Sequence, residues 1–131
     1  MQSDCIFCKI AAEEIPSYKI YENDYVYAFL DMKPLHLWHT LVIPKKHEDH
    51  FYELDHTNYS ELMDVVKILS PAIQEATWSA RIGIVIEWLE VNHVHVHLVP
   101  INEPWDLDSH NRHIENELNM KKIQSKILGH I

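Results

Sequence analysis

The chain has 131 residues, 47% of them hydrophobic, with 11 basic against 20 acidic side chains and a formal charge of −9. That length makes one domain with a core of its own, and that charge excludes a general binder of nucleic-acid backbones or anionic membranes. Any phosphate handled here must sit in a locally positive pocket. The only two glycines, Gly83 and Gly129, exclude a P-loop and a GxGxxG dinucleotide turn, which each need several in one short loop. Histidine is in excess, with eleven residues, seven of them inside 36–50 and 93–97.

The first five residues carry no cationic lead, and no apolar run approaches the ~20 residues of a membrane span. The expectation is a cytoplasmic protein. Cys5 and Cys8 form a C-x-x-C. In a reducing compartment that spacing points to a metal knuckle or a redox pair. A thioredoxin-like pair follows a strand, and nothing before Cys5 can form one, so metal is the better reading. The two thiols supply half of a tetrahedral zinc site, leaving two ligands to come from elsewhere.

Residues 18–31 predict two strands around a turn at Asn23 and Asp24. Residues 40–44 predict a short strand stopped by Pro44. Asn58 with Glu61 resembles a capping box opening a helix whose stripe is Leu62, Val65, Val66, Leu69 and Ile73. Ser70-Pro71 either kinks that helix or starts a second. Over 82–88 the alternation puts Ile82, Ile84, Ile86 and Trp88 on one face. A further strand spans 91–99 and ends at Pro100. The tail, about 109–129, carries a weaker stripe of Ile114, Leu118, Ile123 and Ile127. The order of elements argues an α+β domain, an antiparallel sheet with helices on one face.

The strongest signal is Asn92-His93-Val94-His95-Val96-His97-Leu98. On a strand, His93, His95 and His97 line one face, and Val94, Val96 and Leu98 the other. Three buried rings without partners would cost several kcal/mol, so core filler is a poor account. Alternate residues lie ~7 Å apart and the outer pair ~13 Å, so one straight strand struggles to bring all three to one ion. The labour is better divided: one outer histidine joins Cys5 and Cys8 at a metal, and the others do chemistry. A neutral imidazole is nucleophilic near pH 7 and can take a phosphoryl or nucleotidyl group and pass it to water. A neighbouring ring can assist the leaving group.

The run H-φ-H-φ-H-φ-φ, with φ apolar, resembles the signature of the histidine triad superfamily. CIFCKI at 5–10, EIPSYKIYENDYVYAFLD at 14–31 and HTLVIPKKH at 39–47 resemble the same family in the same order. The resemblance spans about 4–101 within a single domain of 1–131. It implies a five-stranded antiparallel sheet with two helices, a homodimer, and a nucleotide substrate. It also implies His95 as the nucleophile on the α-phosphate, His97 beside the scissile phosphate, and His39 supporting the triad. Asp31 would hold the ribose hydroxyls. Ile6, Phe7, Phe29, Met32 and Leu41 would wall the nucleoside pocket; read without the family, those five are simply core. Many bacterial members bind zinc through positions that here are Cys5, Cys8, His47 and His93, one ion per chain. His36 and His50 are rival ligands off the family positions and read as surface residues, as do His56, His110, His113 and His130.

The chain departs from the family near the triad. Trp88 stands where a glycine is usual, Leu89 where a glutamine often is, and Ile86 matches an asparagine; Trp38 replaces the glycine before His39. These changes keep the nucleophile and remove polar phosphate contacts. The implied function is a hydrolase or transferase acting on the α-phosphate of a phosphoramidate, an adenylate or a dinucleoside polyphosphate. The alternative is a nucleotide-binding regulator with weakened catalysis. A metal-storage role for the excess histidine fits poorly with the matches outside the histidines. Trp88, just before the triad strand, is expected either to roof the phosphate end of the site or to continue the Ile82-Ile84-Ile86 face into the core.

Overall fold

One five-stranded sheet carries apolar side chains on both of its faces. The computed structural model describes residues 4–36, 38–87 and 90–131. Trp88 and Leu89, on which the expectation of a roofed phosphate site rests, lie outside the described residues. The strands are β1 (Lys19–Glu22), β2 (Val26–Leu30), β3 (Thr40–Pro44), β4 (Arg81–Glu87) and β5 (His95–Ile101). They are ordered β1-β2-β3-β5-β4, with every pair antiparallel. The α+β class read from the elements and the five-stranded antiparallel sheet implied by the resemblance are both present.

One face of the sheet presents Val26, Ala28, Leu30, Val42, Val96 and Leu98, with Val94 from the loop before β5 in the same cluster. Against it pack α2 (His56–Thr77), through Leu62, Val65, Val66, Leu69 and Ile73, and α3 (Glu117–Leu128), through Met120, Ile123 and Ile127. The opposite face presents Tyr27, Phe29, Leu41 and Ile43. It is covered in part by α1 (Ile6–Ala11), through Phe7 and Ile10. Helices therefore lie on both faces, not on one alone as the order of elements suggested, and the short one accompanies the histidines. With glycine scarce, Glu13 after α1 and Trp78 at the C-cap of α2 adopt the left-handed conformation, at φ 60° and 57°.

Several local expectations are corrected. The N-cap of α2 is Asp55, whose carboxylate accepts the Asn58 amide at 2.9 Å, so the helix opens a turn earlier than Asn58. Pro71 lies inside one continuous helix and neither starts a second nor ends the first. The last strand starts at His95, not at residue 91, and runs through Pro100 to Ile101. Pairing with β3 ends at Leu98, so only β4 flanks Pro100, and its missing N–H leaves no gap on the β3 side. In the tail, Ile123 and Ile127 are buried but Ile114 and Leu118 are exposed; Met120 takes the place they were expected to fill. Ile82 and Ile86 pack on the core, whereas Ile84 on the edge strand β4 is half exposed. No described helix is long and apolar enough to cross a membrane.

Candidate functional site

Because β5 starts only at His95, His93 sits in the bend before it and is released from the strand's straight geometry. Its ring turns toward α1. Cys5, the N-cap of α1, accepts the Cys8 amide on its sulfur at 3.4 Å, which brings both thiols to one end of the helix. His93 Nδ1 lies 3.3 Å from Cys5 Sγ and 3.5 Å from Cys8 Sγ, and His47 Nδ1 lies 3.3 Å from Cys8 Sγ. All four ligand atoms fall within 4.8 Å of one another. A tetrahedral zinc with Zn–S of about 2.3 Å and Zn–N of about 2.0 Å has ligand–ligand edges of roughly 3.5 Å.

The tautomers also fit a metal. His93 Nε2 donates to the Pro44 carbonyl at 2.8 Å, and His47 Nε2 lies 3.2 Å from the Asp49 carboxylate. Each Nε2 thus carries the proton, and each Nδ1 presents a lone pair to the sulfurs, the arrangement that outer hydrogen bonds impose on metal-ligating histidines. Burial pushes the His93 pKa down to about 4, partly offset by the bond to Pro44. His36 and His50, the rival ligands, are outside this cluster. Both are half-buried, not surface side chains as expected. Burial also lowers the pKa of His36.

His95 and His97 stay on the strand and face the same side as Phe29 and Leu41, with His97 in register with Leu41 across β3. His95 Nδ1 donates to the His93 carbonyl at 2.6 Å, so the neutral ring carries its lone pair on Nε2. Phe7 meets this ring edge-on, with centroids 5.0 Å apart. His39 Nδ1 accepts the Leu35 amide at 3.0 Å, so its proton is on Nε2, 2.8 Å from His97 Nδ1. His97 in turn carries its proton on Nε2. Burial holds both rings neutral, with pKa values pushed down to about 3.

Asp31 completes this second group. Its Oδ2 lies 3.5 Å from His39 Nε2, and its Oδ1 accepts the Lys33 amide at 2.9 Å. Asp31, His39 and His97 are close enough to chelate an ion. The 2.8 Å contact between the two rings is instead a hydrogen bond, fixed in direction by the Leu35 amide, and leaves no lone pair on the His39 ring for a metal.

A cavity of roughly 190 Å³ opens over these rings. Its walls include Ile6, Phe7, Phe29, Asp31, Met32, Leu41, His95 and His97, so every residue expected at the nucleoside pocket lines one space. Ile6 and Met32 stand at the rim, about half exposed. Five further lining residues were not anticipated: Ile10, Lys33, Glu90, Val91 and Arg112. Arg112 comes from the tail and sets its guanidinium 3.7 Å from Asp31 and 3.5 Å from Glu90. One sequence signal was available, since Arg81 and Arg112 are the only arginines in an acidic chain.

The HIT domain family model matches residues 12–103. An adenosine 5'-monophosphoramidase of Saccharomyces cerevisiae is 39% identical over 101 residues, which cover 76% of this chain and 64% of that protein. An adenylylsulfatase of Arabidopsis thaliana is 33% identical over 137 aligned positions, covering 98% of this chain and 68% of that protein. Among solved structures, a hypothetical histidine triad nucleotide-binding protein from Sulfolobus tokodaii strain7 matches with TM-score 0.85 and 32% identity, covering 96% of this chain and 91% of that one. A Zn-bound histidine triad family protein from Mycobacterium smegmatis matches with TM-score 0.77 and 26% identity, covering 96% and 94%.

Proposed function

The chain belongs to the HIT domain family, and from that premise we propose that it hydrolyses or transfers the nucleotidyl group of a nucleotide derivative through His95. The observation that carries this reading is the cavity itself. Apolar and aromatic walls suited to a nucleoside base meet Asp31, a carboxylate able to accept ribose hydroxyls, and two histidines of fixed tautomer. The names of the yeast and Arabidopsis relatives, a phosphoramidase and an adenylylsulfatase, support the same class.

In this reaction the Nε2 lone pair of His95 forms a bond to the α-phosphorus as the bond to the leaving group breaks. A phosphoramidate nitrogen takes up one proton from solvent as the P–N bond breaks and departs as the neutral amine. His97, a neutral ring with its proton on Nε2, hydrogen-bonds the leaving atom or a phosphoryl oxygen, and stabilises charge there without giving the proton up. His39 holds His97 in that tautomer, and Asp31 and the Leu35 amide hold His39. Water then displaces His95 from phosphorus, which releases the nucleoside monophosphate, restores the neutral ring and sends one proton to solvent.

The Cys5, Cys8, His47 and His93 set would hold one zinc per chain. Four protein ligands close the coordination sphere, so the ion would be structural. It would tie α1, which carries Phe7 and Ile6 of the pocket, to the bend that feeds the His95 strand. A homodimer is part of the same proposal, and the half-exposed Ile84 on edge strand β4 is a surface such a partner can cover.

Incubation with an adenosine phosphoramidate and with diadenosine polyphosphates tests the reading. The expected result is release of adenosine monophosphate and, on rapid acid quench, a nucleotidyl adduct on the protein. Nucleotide binding without turnover would leave a regulator with weakened catalysis and overturn the enzymatic proposal.

A further inference from the structure

The segment between β5 and α3 crosses the histidine-bearing face of the sheet. Gly83 pairs with Val99 and Val85 with His97, so the Gly83 side of β4 faces the same way as the pocket. Leu107 lies on that side. A Cβ built on Gly83 would come within 3.1 Å of both its methyl carbons, so glycine there gives the segment its seat. Farther on, the His113 amide donates to the Pro34 carbonyl at 3.2 Å, beyond the far end of β2. Between these two anchors, Arg112 turns into the cavity with its side chain only 20% exposed.

The charges in that cavity are unbalanced for a nucleotide. Asp31 and Glu90 both line it, in a chain of net charge −9, and both would repel a phosphate. Among the described lining residues the cations are Lys33, which is exposed at the rim, and Arg112. Arg112 is held at 3.7 and 3.5 Å from the two carboxylates, both longer than the ~2.7–2.9 Å of a charge-assisted hydrogen bond. Its guanidinium is thus kept at the site by attraction without being locked into a bidentate pair. Its positive charge also reaches the histidines, where it helps disfavour protonation of His39 and His97.

Resting on the proposed nucleotide reading, we propose that Arg112 is the phosphate-recognising residue of this pocket, carried across the sheet by the segment that Leu107 and His113 anchor. In this structure it lies between Asp31 and Glu90. With a nucleotide bound it turns its N–H groups to the phosphoryl oxygens, and Asp31 becomes available to the ribose. A planar, permanently charged fork suits that transfer better than a lysine.

The test is calorimetric binding of adenosine monophosphate and of adenosine to the zinc-loaded full chain, comparing wild type, Arg112→Gln and Arg112→Lys, with thermal melts alongside to confirm folding. Wild type should prefer the monophosphate over the nucleoside by about 10- to 100-fold, the range of a hydrogen bond to a charged group. Arg112→Gln should lose most of that preference while adenosine affinity changes less than about threefold, and Arg112→Lys should keep part of it. An unchanged preference in Arg112→Gln would overturn the proposal. So would equal weakening of both ligands, which marks a structural role, or tightening of both, which marks a plug. Wild type that binds neither ligand would bring down the nucleotide reading itself, and this inference with it.

Discussion

Acidification from pH 7.5 to 5 should strip the fold of a large share of its stability, through the His39–His97 pair alone. Both rings are buried and hydrogen-bonded as neutral groups, with pKa values near 3 against an ordinary 6.5. Between those values the unfolded chain binds protons that the folded chain refuses, so stability rises with pH. The contribution is fully present above about 6.5 and is lost as pH falls toward the folded values. At pH 5 each ring costs about 1.5 units at 1.36 kcal/mol per unit, about 2 kcal/mol, and the pair about 4 kcal/mol. That size requires only that both folded pKa values lie well below 5. Set against a domain stability of about 5–15 kcal/mol, it is about a quarter or more of the whole. Urea unfolding at pH 7.5 and 5.0 reads the sum. Ring resonances of His39 and His97, which should stay at the neutral position down to pH 5, separate these two from His93, whose protonation is linked to metal binding. A ring titrating near 6.5, or a stability difference below about 1 kcal/mol, would refute the reasoning.

Three more outcomes are expected. His95→Ala should abolish turnover and the nucleotidyl adduct while nucleotide affinity stays within a few fold, since binding rests on Asp31, the apolar walls and the tail; retained turnover would remove His95 from its role. Metal analysis after purification without chelator should return about one zinc per chain, lost in Cys8→Ser, with affinity falling as pH falls because thiolates and neutral imidazoles are the ligating forms; a zinc-free protein with unaltered melting temperature would defeat the proposal. Gly83→Ala should push Leu107 aside by a few tenths of an ångström at a stability cost below ~1 kcal/mol. It should also erode the preference for monophosphate over nucleoside; an intact preference would mean the seat under Leu107 does not position Arg112.

What was legible in the sequence followed from local periodicity. Alternation over 93–98 separated the histidines from Val94, Val96 and Leu98, and the structure bears this out, with Val96 and Leu98 in the core under the helices and His97 in register with Leu41 on the pocket side. The helix stripe of Leu62 to Ile73 was equally clear, because a 3.6-residue period sustained over three turns is the mark of an amphipathic helix and of no strand. The ends were less legible. Asp55 is the cap because its carboxylate accepts the Asn58 amide and opens the helix one turn before Asn58, and the pattern of a box does not reveal which residue sits outside the helix. Pro71 could stay in α2 because tertiary packing of Leu69 and Ile73 on the sheet holds the helix on both sides of it.

The candidate site divides along the same line. One straight strand struggles to bring three histidines to one ion, so the spacing pointed to divided labour, although all three were expected on one strand over 91–99. The structure breaks it at His93, which leaves the strand and meets Cys5, Cys8 and His47, while His95 and His97 remain in register. Spacing along a strand carried that information because neighbouring positions constrain one another. Arg112 stood out only as one of two arginines in an acidic chain. It follows β5 in a segment without period, and its approach to Asp31 depends on a glycine of the far edge strand and on a backbone bond to Pro34. The residues that select a ligand's charge can thus be the last to be read from a sequence. They are placed by contacts between distant segments, whereas the reacting groups are placed by the strand that bears them.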